Sequence, residues 1–184
     1  MGRVSSDLDL VFNPNRSPAE CIRAGIFGGC YFNPRGGKRG LMGPSVKIDH
    51  REFPAAWFRG LPERMYISRR YDPATNLYGV KCGKDQAYWE SKGWIHPQDP
   101  RGWFQWYCRY AVGRRSGDDE RQIKRWQGVR RRWGAHLVRS IRKRYGDNPT
   151  QRQLDDREVS PVVRQLLLHW AIHMDAALFR ELGK

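Results

Sequence analysis

At 184 residues the chain is long enough to bury one core and too short for two independent ones. Its 39% hydrophobic and 29% charged residues exclude a disordered or fibrous chain, and no apolar run reaches the roughly 18–20 residues that cross a bilayer. A net charge of +15 disfavours cationic partners and directs attention to polyanions, whether nucleic acid or an acidic membrane face.

The opening MGRVSSDLDL lacks the apolar stretch of a signal peptide, so an intracellular location is expected, cytoplasmic or in a nucleoid or nucleus. Gly2 and Ser6 fall in a myristoylation-like frame with no second anchor signal beside it. Residues 1–24 are weakly specified: Asn13-Pro14-Asn15 marks a turn, and Ser17-Pro18-Ala19-Glu20 resembles a first helical turn. Residues 25–43 carry seven glycines around a short aromatic strand candidate at Cys30 to Phe32, which suits a mobile loop or a close backbone approach. Met65 to Ser68 and Leu77 to Cys82, separated by Asp72-Pro73-Ala74-Thr75-Asn76, predict a hairpin. A short helix from Asp85 to Lys92 ends at Gly93.

The second half is more clearly helical. Asp99 as N-cap and Pro100 at N1 predict a helix to about Val112, stopped by Gly113. Ser116 opens a second start signal with Asp118, Asp119 and Glu120 in its first turn, and Asp119 completes a capping-box-like pattern. Ile123, Trp126, Val129, Trp133, Leu137 and Ile141 recur at helical spacing, which suits one long helix or one broken at Gly128 and Gly134. Residues 146–149 close that block. Ser160-Pro161 then starts a final helix with a stripe from Val163 to Leu178. The expected fold is therefore α+β: a single domain over 25–184, with a small glycine-rich β region at 25–95 and a helical part at 99–184.

Residues 101–145 hold fourteen lysines and arginines against three acids, so they carry eleven of the fifteen net charges. Arg130, Arg131, Arg132, Arg139 and Arg142 suit phosphate contact from a helix face, and Arg114 and Arg115 join them; the plainer reading is a solvated basic face. Trp103, Trp106, Tyr107 and Tyr110 share one helical face, as a core stripe does, whereas Phe104 and Arg101 lie elsewhere on the cylinder and are freer to meet a ligand. Arg35, Lys38 and Arg39 among the glycines fit a loop closing on phosphates, although no P-loop pattern is present.

Asp118, Asp119 and Glu120 beside Arg114 and Arg115 suit salt bridging first. Carboxylates so placed also suit a magnesium-dependent nuclease, with Lys81 nearby. Cys82 between Lys81 and Lys84 at a glycine-bordered turn is a thiol that neighbouring cations would activate; a tight surface turn is the plainer reading. His169 and His173 stand four apart, with no His-Glu-x-x-His pattern and no third metal ligand evident. His50 and His96 beside Asp49 and Asp99 are acid-base candidates without a motif. Cys21, Cys30, Cys82 and Cys108 contain no Cys-x-x-Cys pair and read as free structural thiols.

Glu52-Phe53-Pro54 with Trp57-Phe58, then YGVKCG from Tyr78, GWFQWYCR from Gly102, and Gly113-Arg114-Arg115 with Asp118-Asp119, Arg121-Gln122-Ile123 and Arg125-Trp126 form one set of motifs. In these, over most of residues 25–175, the chain resembles a family of uncharacterised proteins from fungi and large DNA viruses. The resemblance implies a shared fold and site but transfers no catalytic residue. It also departs from the family at Gly128 to Gly134, where members carry a Gly-Pro-x-Gly-Arg-like turn. The function expected is nucleic-acid binding, DNA ahead of RNA. The alternatives are a nuclease or base-excision enzyme using residues 118–120, and a basic adaptor for an acidic protein.

Overall fold

The computed structural model describes residues 11–33 and 48–184. Arg35, Lys38 and Arg39, and the Gly2 and Ser6 frame, lie outside them. The described residues form seven α-helices and five 3-10 turns. They contain no sheet, and the one β-bridge joins His96 to Asp99. The α+β expectation is thus corrected to a mainly helical fold.

The helices run α1 Pro18–Ala24, α2 Gln86–Ser91, α3 Trp103–Ala111, α4 Asp119–Tyr145, α5 Gln151–Leu154, α6 Pro161–His169 and α7 Ala176–Leu182. Most start where a side chain satisfies the orphan N–H groups of the first turn. Ser17 and Glu20 form a reciprocal capping box on α1, and Thr150 and Gln153 do so on α5, which was expected to be a plain connector. Asp85 caps α2 through the Tyr88 N–H, and Asp175 caps α7 through that of Leu178.

Two helices differ from expectation, and α4 takes the longer of its two expected forms. α3 begins at Trp103 because Gly102 sits at φ +85° and ψ −154°, a conformation essentially confined to glycine; Asp99 is therefore no cap. α4 runs unbroken through Gly128 and Gly134; at Gly134 the missing side chain admits the Leu182 methyl from α7 instead. The final predicted helix is two, α6 and α7, since Trp170 ends the first and Ala171 turns left-handed at φ +57°.

The predicted β region fails for a concrete reason. Among the described residues its backbone groups are satisfied by single bonds between distant turns and by side chains, never by a ladder. The Phe32 N–H donates to the Tyr66 carbonyl at 2.8 Å, and the Ser68 N–H to that of Gly29 at 2.9 Å. The Leu77 N–H reaches Gly25, and the Tyr78 N–H reaches the Gln165 side chain, so residues 77–82 never pair with 65–68. Buried Asn76 replaces the strand contact by accepting from the Gly28 N–H and donating to Val80. The glycines here permit close approach: at Gly29, φ is +75° and an added Cβ would lie 1.9 Å from the Arg64 carbonyl oxygen. Gly29→Ala is accordingly expected to cost about 2 to 3 kcal/mol, from left-handed strain plus displacement of the 64–66 turn. A thermal melt showing a loss below about 1 kcal/mol would contradict this account.

α3 lies at the centre. Six consecutive residues, Trp103 to Cys108, are buried, so this helix is enclosed on every side and Phe104 is not free to meet a ligand. Residues 11–17 form a strap across it, with Phe12 edge-on to five rings and the Tyr107 hydroxyl donating to the Arg16 carbonyl. Asn15 ties the strap to the turn before α7 through His173 and Asp175. The segment from 11 to 24 is therefore as firmly seated as the rest of the core.

Candidate nucleic-acid interface

α4 carries the basic segment, and tertiary contacts sort its cations into two groups. Arg130 makes a bidentate pair with Glu181, Arg142 pairs with Asp147, and Arg144 reaches Asp156 and Glu158. Arg121 pairs with Asp118, and Lys124 with Glu120. Among the described residues Arg131, Arg132, Arg139 and Lys143 make no ion pair, and all four are exposed. At helical pitch Arg132, Arg139 and Lys143 lie within an arc of about 40° and span about 16 Å, so they form one stripe, with Arg131 on a neighbouring face.

The other predicted phosphate ligands are placed differently. Arg114 donates to both oxygens of Asp99, at 2.8 and 2.6 Å. Arg109 shares that carboxylate at 3.0 Å and also pairs with Glu52. Arg115 folds back over Tyr110, 3.7 Å from the ring centre, and donates to two backbone carbonyls. These two arginines brace the α3–α4 turn and are not brought onto the α4 stripe.

The acidic corner is equally occupied. Burial raises the Asp118 carboxyl, but hydrogen bonds from Arg121 and Gln122 outweigh it and hold the group below its ordinary value. Asp119 is likewise raised by burial and lowered further by the Trp106 indole N–H at 2.8 Å and by Ser116. The capping box expected at Ser116 does not form: α4 starts after Asp118, and the Ser116 N–H and hydroxyl both donate to the Asp119 carboxylate ahead of it. Glu120 faces solvent with Lys124. Lys81 touches none of the three carboxylates, and no group of three or more His, Cys, Asp or Glu suited to a metal ion occurs among the described residues. Ionised, bonded carboxylates brace a turn; a general base needs a free lone pair near neutral pH.

Cys82 is not activated. Burial pushes its thiol up to about 11, and Cys21, Cys30 and Cys108 are raised by the same cause; all four are free. His50 contacts Asp49 at 3.6 Å, but Arg51 takes both oxygens of that carboxylate, and Asp99 is committed to two arginines, so neither His50 nor His96 has a free acid partner. His169 and His173 do not converge: His173 pairs with Asp155 at 3.2 Å, and His169 is buried in α6.

His169 stacks on Phe27 at 4.1 Å, and its Nε2 accepts from the Phe27 N–H, which leaves the proton on Nδ1. Burial depresses its pKa to about 3, against an ordinary 6.5. Between those values the unfolded chain binds a proton that the folded chain does not, so stability falls as pH drops below about 6.5. From pH 7 to pH 5 the protein is expected to lose roughly 2 kcal/mol more than a His169→Gln variant, which keeps an acceptor at this position. Equal losses in urea titrations at the two pH values would refute a buried neutral imidazole.

One cavity of about 440 Å3 opens between α3, α4, α6 and residues 82–95. Tyr88, Trp89, Trp94, Trp103, Trp133 and Trp170 line it together with Lys84, Arg101, Arg125 and Arg132, and no aspartate or glutamate lines it among the described residues. Arg125 lies over both Trp94 and Trp170, and burial lowers its pKa to about 10. Arg101, expected to be free to meet a ligand, does line the cavity, whereas Tyr88, Trp89 and Trp94 were not among the residues expected to form a site. Their rings stand among Lys84 and Lys92 in the sequence, the signal that could have found them.

No family model, curated protein or solved structure matches the chain. No described helix is long and apolar enough to cross a membrane.

Proposed function

We propose that this protein binds nucleic acid, DNA ahead of RNA, with the phosphate backbone laid along the outer face of α4. The observation that carries this reading is the stripe of Arg132, Arg139 and Lys143, exposed and without an ion pair among the described residues, on a helix whose other cations mostly have acid partners. Three cations along about 16 Å suit the closely spaced charges of a phosphate chain.

Fluorescence anisotropy with labelled single- and double-stranded DNA, and RNA of matching sequence, tests the proposal across a salt series. Arg139→Ala combined with Lys143→Ala is expected to flatten the slope of log K against log salt by about 1.8 on duplex DNA, because each phosphate contact contributes about 0.9. The melting temperature should hardly move, since both side chains are exposed. Absence of binding at low salt to every probe sinks the proposal and leaves a basic adaptor for an acidic protein as the explanation of the charge.

A further inference from the structure

We propose that the aromatic cavity holds one nucleobase together with its phosphate, the base among the tryptophans and the phosphate on Arg101. The source of that unit is either a strand lying on α4, in which case the inference rests on the function proposed above, or a free nucleotide.

Arg101 is the unexplained group. It is only 8% exposed, it lines the cavity, and its Nε and Nη2 atoms are buried with no hydrogen-bond partner. No ion pair engages it among the described residues, unlike Arg109 and Arg114 close by in sequence. A buried guanidinium without a counter-charge is costly, and a planar fork of donors suits a phosphate or carboxylate. Burial also lowers its pKa, the direction that an arriving anion would reverse.

The position is built, since every backbone bond around it is spoken for. The Arg101 N–H donates to the Gln105 side chain, and the Arg101 carbonyl accepts from the Tyr31 hydroxyl, which itself accepts from the Gln105 N–H. Gln86 holds the Pro100 carbonyl at 2.6 Å, and Gly102 turns the chain immediately afterwards. The side chain is thus presented to the cavity by a rigid turn.

The remaining chemistry selects the ligand. The volume lies in the range of small-molecule sites, and an indole-rich wall binds a flat ring by stacking on either face. An apolar ligand would leave Arg101 unpaired, and a cation would meet Lys84, Arg101, Arg125 and Arg132 with no lining acid among the described residues to offset them. A planar ring bearing an anion satisfies both halves. Arg132 belongs to the cavity wall and to the exposed stripe of α4, so a strand following that stripe reaches the mouth of the cavity.

The test titrates tryptophan fluorescence with the four deoxynucleoside 5′-monophosphates and with their nucleosides. In parallel it follows a single-stranded 12-mer carrying one 2-aminopurine. The wild-type protein is expected to bind at least one monophosphate about tenfold or more tightly than its nucleoside, as one charge-assisted hydrogen bond predicts. Arg101→Gln should erase that difference while leaving nucleoside binding in place. Trp94→Ala, at an exposed ring whose loss leaves the core intact, should weaken both, and it keeps the test open if Arg101→Gln fails to fold. Equal affinity for nucleoside and monophosphate overturns the proposal, as does the absence of any signal from all eight compounds and the 12-mer. Quenching of 2-aminopurine that is lost in Trp94→Ala identifies the strand as the source. Nucleotide binding without binding of the 12-mer upholds the cavity with a free nucleotide as its source, and the proposed function then fails only if duplex DNA and RNA are unbound as well. Strand binding indifferent to Trp94→Ala, without 2-aminopurine quenching, rejects the cavity and upholds the proposed function.

Discussion

Asp99→Ala is expected to lower the stability of the folded chain by about 3 to 5 kcal/mol, a large share of the 5–15 kcal/mol that typically holds a domain together. Asp99 is fully buried and accepts from Arg109 at 3.0 Å, from Arg114 at 2.8 and 2.6 Å, and from the Gln98 amide at 3.2 Å. Removing it leaves two guanidinium groups facing a space that no carboxylate fills. Each retains some water access, with side-chain exposures of 22% and 27%, and Arg109 keeps Glu52, so the loss should fall toward the lower end of the range. Asp99→Asn retains an acceptor and removes only the charge; its cost should be smaller. Urea denaturation of the two variants decides the matter. A midpoint shift worth less than about 1 kcal/mol for Asp99→Ala would show that the network is not what holds the α3–α4 turn.

Phe12→Ala should cost about 3 kcal/mol, near the low end for a large-to-small change in a core because the ring is only half-buried. The Phe12 ring meets Trp126 at 5.1 Å, Tyr110 at 5.3 Å, Trp106 at 5.4 Å, Tyr107 at 5.7 Å and Trp103 at 6.4 Å, all edge-on. Each such pair adds to simple area burial, so Phe12→Leu should recover only part of the loss. Near-ultraviolet circular dichroism reads the same event through the tryptophans. Full stability in Phe12→Ala would mean that Asn15 and Arg16 alone seat the strap.

How far the sequence could be read depended on the range of each interaction. The first turn at Ser17 to Glu20 was legible because its partners stand three residues apart, and so was the stop at Gly93. The hairpin at 65–82 was misread because alternation there does not report strand pairing. Tyr71, Asn76 and Leu77 bond instead to Cys82, Gly28 and Gly25 across a turn crowded with 3-10 segments. The ring stripe of α3 was correctly seen as core, yet Phe104 was expected to be free, because helical phase says nothing about a helix enclosed on all sides.

The α4 arginines make the same point about the site. From the sequence alone Arg114, Arg130, Arg139 and Arg142 are equivalent basic residues. Their difference lies in acids brought from elsewhere: Asp99 is 15 positions from Arg114, and Glu181 is 51 from Arg130. The same holds for Arg101, whose isolation becomes visible only once its surroundings are known.

By itself the sequence determined a single basic, helix-capped chain with an aromatic core stripe and a concentration of positive charge between 101 and 145. Charge, capping and periodicity act over a few residues or over the whole composition, and both are present in the unfolded chain. Only the tertiary structure decided that residues 65–82 are turns and not strands, and that α3 is buried on every side. It also decided which cations are paired, which lie free along α4, and which one stands unpartnered against an aromatic cavity. Those distinctions depend on low-dielectric contacts between residues far apart in sequence, and such contacts come into being only when the core closes.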